Sequence, residues 1–87
     1  MASSRVLIKP SASQELEAVG QKKDRERLVE RIRALGSEPR PHRSEKLSGQ
    51  YGLFRIRMGS YRVLYAIDDG SAEIHVLKVG HRRDAYR

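Results

Sequence analysis

Leu53-Phe54-Arg55-Ile56-Arg57-Met58-Gly59-Ser60-Tyr61-Arg62-Val63-Leu64-Tyr65-Ala66-Ile67-Asp68-Asp69-Gly70-Ser71-Ala72-Glu73-Ile74-His75-Val76-Leu77-Lys78-Val79 holds three strand signals in a row. Leu53 to Met58 alternates, with Phe54, Ile56 and Met58 on one side and Arg55 and Arg57 on the other, the period-2 pattern of a strand covered on one face. Gly59-Ser60 suits a tight turn with glycine first. Tyr61 to Ile67 repeats the pattern, with Tyr61, Val63, Tyr65 and Ile67 opposed to Arg62, Leu64 and Ala66. Asp69-Gly70 is a second hairpin signal, and Glu73 to Val79 is the last strand. Short turns make these strands an antiparallel meander.

Upstream, Arg5 to Lys9 reads as a short strand that Pro10 ends. Ser11 or Ser13 can cap a helix whose apolar face is Ala12, Leu16 and Val19, stopping near Gly20. A second helix runs from near Gln21 to Leu35, with Leu28, Val29, Ile32 and Leu35 at helical spacing. Its other face alternates charge through Lys23, Asp24, Arg27, Glu30 and Arg31, which reads as a solvated face or as a contact to an RNA backbone. Gly36 closes it, and Pro39 and Pro41 prevent its continuation. His42 to Gly52 is polar and loop-like, anchored by Leu47. The expected class is α+β in the order β-α-α-β-β-β. An antiparallel sheet, joined by its first strand, carries a two-helix hairpin on one face and leaves the other partly open.

The chain has 87 residues, which fits one domain over 1–87, and it contains no cysteine. Disulfides and cysteine-based zinc sites are excluded, so a modest core or a partner must stabilise it. Eighteen Lys and Arg against eleven Asp and Glu give a formal charge of +7. Such an excess favours polyanions or an acidic protein. No apolar run approaches a membrane span or a signal-peptide core, which places the expected site of action in the cytoplasm.

Arg55, Arg57 and Arg62 are the only charges between Lys46 and Asp68. If Arg62 shares the face of Arg55 and Arg57, three guanidinium forks line one surface, and Arg82 could join them. Such forks match phosphate oxygens and can stabilise a pentacoordinate phosphorane. The plainer alternative is that they keep a sheet soluble. Histidine is the side chain type that exchanges protons most readily near neutral pH, which makes His81 the first acid–base candidate. Tyr86 in the basic tail could stack on a base or move a proton. His42 and His75 read as structural.

Two blocks carry a family resemblance: Tyr51 to Ile67, with its G-x-Y-R-V-x-Y core, and Val76 to Tyr86, which reads V-G-H-R-x-x-x-Y from Val79. They resemble the toxins of the RelE/ParE superfamily of type II toxin–antitoxin systems, and with the helix hairpin the resemblance covers nearly the whole chain. It implies a RelE-like mRNA interferase, a metal- and cofactor-free endoribonuclease that cuts messenger in the ribosomal A site, in contact with ribosomal RNA, and arrests translation and growth. The ribose 2′-hydroxyl would attack the adjacent phosphate, leaving a 2′,3′-cyclic phosphate and a 5′-hydroxyl. On this resemblance Arg55 and Arg57, with Arg83, hold phosphate. Arg62 clamps the scissile phosphate, Arg82 stabilises the leaving oxygen, and Tyr86 is the terminal tyrosine. Arg55 and Arg57 stand where some relatives carry lysines. Arginine does not give up its proton, so the base is sought at His81 first, with Tyr86 or Glu45 in reserve. The resemblance also implies an acidic antitoxin as partner. Two other readings remain open: a ParE-like inhibitor of DNA gyrase, and a non-catalytic RNA-binding module. The second lacks a pair of exposed strand aromatics suited to splayed bases.

Overall fold

The computed structural model describes residues 3–47 and 52–81. The elements run β1 (Arg5–Ile8), α1 (Pro10–Glu17), α2 (Lys22–Ala34), β2 (Glu45–Lys46), β3 (Leu53–Met58), β4 (Tyr61–Asp68) and β5 (Glu73–His81). The expected order stands, with the two-residue strand β2 added inside the segment read as loop. The five strands form one sheet in the order β1-β5-β4-β3-β2.

Pro10 is in the first turn of α1, where its missing N–H costs nothing. Lys9 is the N-cap, and no side chain caps the helix, so Ser11 and Ser13 lie inside it rather than before it. The end of α1 is tied to α2 by Arg25, whose Nη1 donates to the Val19 carbonyl at 2.8 Å. At the far end of α2, Gly36 packs directly against the start of β1. The Ser4 N–H donates to the Gly36 carbonyl at 2.6 Å, and a Cβ on Gly36 would lie 3.0 Å from the Ser4 carbonyl oxygen.

That contact shows why one expectation is corrected. The helix hairpin returns the chain to the beginning of β1, and β3 sets out in the same direction as β1. Two hairpin reversals then bring β5 back to that direction. β1 therefore pairs with β5 in parallel, from Arg5 opposite Glu73 to Ile8 opposite Val76. The strands antiparallel to it, β4 and β2, are not its neighbours, and the sheet is mixed.

Gly59 has φ +60°, as a glycine-first tight turn requires. The β4–β5 connection differs from the expected two-residue turn. It spans four residues, 69–72, and its left-handed residue is Ala72 (φ 55°) rather than Gly70. The Asp68 carboxylate accepts from the Ser71 N–H at 3.1 Å and holds the loop closed. Between β4 and β5 the register slips at Leu64 and Tyr65 of β4, leaving Leu77 of β5 as an extra residue. This bulge lets Val76 and Val79, three apart, both enter the core.

The core joins Ala12, Leu16, Val19, Leu28, Ile32 and Leu35 of the helical layer to Phe54, Ile56, Val63, Tyr65, Ile74, Val76 and Val79 of the sheet. All the sheet members lie on the helix-covered face. Tyr65 is fully enclosed and donates its hydroxyl to the Pro39 carbonyl at 2.8 Å. Arg40 lies over the Phe54 ring, 5.3 Å from its centroid, and forks onto Asp69, pinning the loop after α2 to the β4–β5 turn. No helix among the described residues is long and apolar enough to cross a membrane.

Candidate phosphate site on the arginine face

The opposite face of the sheet carries the arginines. Arg57 is the cross-strand partner of Arg62, and Arg55 is the partner of Leu64. Alternation therefore places Arg55, Arg57 and Arg62 on one side, away from Phe54, Ile56, Val63 and Tyr65. Like charges directly opposite on neighbouring strands repel, so this face is arranged for an anion rather than for intrinsic sheet stability.

One anion is already present within the chain. Glu45 of β2 lies opposite Arg55. Its Oε2 accepts from Arg55 Nη2 at 2.7 Å, and its Oε1 lies 3.5 Å from Arg57 Nε. The hydrogen bond from Arg55 and the charge of that guanidinium hold the Glu45 carboxyl below the ordinary carboxylate range, with Arg57 and Arg62 adding smaller attractions. Three guanidiniums from two strands thus act on one carboxylate. Arg55 is only 7 % exposed, and a buried cation needs such a partner. Arg57 is exposed and able to reach a ligand.

The model of the family described as the ParE toxin of the type II toxin–antitoxin system parDE matches residues 6–86. The toxin RelE of Mycobacterium tuberculosis is 36 % identical over 74 residues, covering 75 % of this chain and 76 % of that protein. The toxin RelG of the same organism is 50 % identical over 36 residues, a match that spans only 41 % of either chain. The crystal structure of the archaeal RelE–RelB complex from Pyrococcus horikoshii superposes with a TM-score of 0.82 at 31 % identity, covering 95 % of this chain and 99 % of that one. The chain belongs to the RelE/ParE superfamily of toxins.

In this RelE/ParE toxin the remaining expected site residues are divided. His81, opposite Tyr61 at the end of β5, is on the helix-side face, and the two rings meet edge to face with centroids 5.8 Å apart. The fold thus separates it from the arginine trio by the thickness of the sheet. Arg82, Arg83 and Tyr86 lie outside the described residues, as does Tyr51 of the first motif block. His75 is bound to Glu73 through Nε2 at 3.0 Å, and Glu73 also receives Arg5. Glu45, a reserve candidate from sequence, is the acid–base group the structure brings among the trio. What sequence alone did not reveal is the strand pairing that puts it there, because a two-residue strand has no periodicity to detect. Arg43, just before β2, was also passed over. It lines a cavity of about 630 Å³ with Arg57.

Proposed function

We propose that this toxin is a RelE-like endoribonuclease that cleaves messenger RNA on the ribosome by internal attack of the ribose 2′-hydroxyl. One observation carries the reading: Arg55, Arg57 and Arg62 share a face and act on a single oxyanion group, the Glu45 carboxylate. A scissile phosphate in that place meets the same forks. As the 2′-oxygen bonds to phosphorus, the phosphorane gains charge, and donors fixed beforehand stabilise it more than the ground state. The P–O5′ bond then breaks, giving a 2′,3′-cyclic phosphate and a 5′-hydroxyl, with no metal needed in the scheme.

The proton balance needs a base for the 2′-hydroxyl and an acid for the departing 5′-oxygen. Arginines supply neither. Glu45 is the nearer base by position, ionised well below neutrality. His81 must act from the far side of the strand end, at its rim, if it acts at all. Arg82 and Tyr86 follow His81 in the chain and remain assigned, by resemblance, to the leaving oxygen and to stacking or proton transfer. Arg83 remains assigned to phosphate contact.

Relatives crystallised with RelB support an antitoxin partner here. An acidic segment that folds on binding would satisfy the arginine face as the messenger does, and so compete with it.

The test is induction of Arg62→Ala without antitoxin, followed by primer extension on a reporter messenger in a ribosome-containing extract. Cleavage should fall about 100- to 1000-fold, the usual effect of deleting one transition-state donor. Retained cleavage ends the proposal. Inhibition of gyrase supercoiling by the wild type, with messenger left intact, would instead support the ParE-like reading.

A further inference from the structure

We propose that the groove between α2 and the β3–β4 turn binds the phosphates of the RNA strand that flanks the scissile one. The inference rests on the nuclease reading above and extends its site. The groove is the cavity of about 630 Å³ walled by Arg27, Arg31, Arg43 and Arg57, with Glu30 as its one acidic residue. Arg57 belongs to both places: its Nε faces Glu45 at 3.5 Å, and the residue also lines the groove. A strand held at the arginine trio therefore reaches the groove around the β3–β4 end of the sheet, by way of Arg57.

Two further features favour an RNA strand. Arg27 and Arg31 are four apart on α2, so they form one stripe of the helix. Like charges at that spacing work against the helix, and no carboxylate among the described residues lies within ion-pair distance of Arg27, Arg31 or Arg43. The fold thus places these cations beside the site without a direct ion pair among the described residues. Finally, an adjoining cleft shares Arg27 and Met58 with the groove and contains Tyr61 and His81. Their rings give a base of an unpaired strand something to stack on.

The test uses the full-length chain and single-stranded 2′-O-methyl oligonucleotides of increasing length, which cannot be cleaved. Binding is followed by fluorescence anisotropy across a salt series. Wild-type affinity should rise as the strand is lengthened beyond the dinucleotide that fills the trio. The double variant Arg27→Ala/Arg31→Ala should lose that rise, and its plot of log affinity against log salt should flatten by about 1.4, two phosphates at roughly 0.7 each for a single strand. Dinucleotide binding and the melting temperature should stay unchanged. Arg33→Ala removes the same kind of charge from α2, but from the side that carries Val29 and Glu26. It should behave as wild type.

A loss per charge removed in Arg33→Ala equal to that in the double variant would reduce the effect to net charge and overturn the proposal. So would a long strand bound equally by wild type and double variant. A loss confined to antitoxin binding would assign the groove to the acidic partner, and a loss confined to messenger-free ribosomes would assign it to ribosomal RNA. Both outcomes reject the messenger strand. The nuclease reading falls separately, if Arg62→Ala still cuts messenger.

Discussion

The two faces of this one sheet are built from the same strands and behave as opposites. On the helix-covered face, Phe54, Ile56, Val63, Tyr65, Ile74, Val76 and Val79 meet the apolar stripe of α1 and α2, and every one is buried. On the other face the same strands, one residue out of step, present Arg55, Arg57 and Arg62 around Glu45. The first face gains stability from burial. The second holds like charges together and gives up stability to do so, relieved in part by one carboxylate. The difference teaches that stability and anion binding are separable here: a substitution on one face should leave the property of the other intact.

Leu28→Ala tests the covered face most severely. Leu28 is fully buried between the layers, so its truncation should cost about 2–5 kcal/mol in urea unfolding. RNA affinity measured well below the melting temperature should not change. A parallel loss of affinity would break the separation. Arg62→Ala is the mirror experiment: cleavage should collapse while the urea midpoint barely moves.

Gly36→Ala probes the contact that sets the direction of β1. Its Cβ would meet the Ser4 carbonyl oxygen at 3.0 Å and the Arg33 carbonyl oxygen at 3.3 Å, both backbone atoms with little room to yield. We expect a loss of about 1–3 kcal/mol by thermal or chemical denaturation. A smaller effect comes from Tyr65→Phe, which leaves the Pro39 carbonyl without its hydroxyl donor. The expected cost is about 1 kcal/mol.

The smallest effect should be a pH dependence at the helix–strand junction. Burial alone would raise the Glu15 carboxyl, but hydrogen bonds from Lys78 and from the Val79 N–H, with the charges of Lys78 and Lys9, outweigh it and hold the group below its ordinary value. The folded state therefore binds this proton less readily than the unfolded chain does. The stabilisation is present above the unfolded carboxylate range and is lost as pH falls through the folded value. Glu15→Gln should lower the urea midpoint at neutral pH, and its difference from wild type should shrink in acid. A constant difference across that range would mean that the bridge contributes through packing alone.

Much of this was readable in advance, for a local reason. The alternation in Leu53–Met58 and Tyr61–Ile67 shows which residues share a face, and Gly59 marks the turn that fixes the register between them. Once those two facts are combined, Arg57 must lie opposite Arg62. The Val76–Val79 spacing was less transparent: a strict two-residue period would put one of them outside the core, and only the bulge at Leu77 reconciles them. The Asp69-Gly70 pair pointed to a turn in the right place but of the wrong length, because the Asp68 side chain closes a longer loop.

By itself, then, the amino-acid order determined the helices, the meander and the grouping of arginines, since each depends on neighbours within a few positions. Only the tertiary structure decided that β1 runs parallel to β5, that β2 exists to carry Glu45 among the guanidiniums, and that His81 stands behind the sheet beside Tyr61. These depend on where distant segments meet, which is set by how the helix layer closes over the sheet and not by any local period.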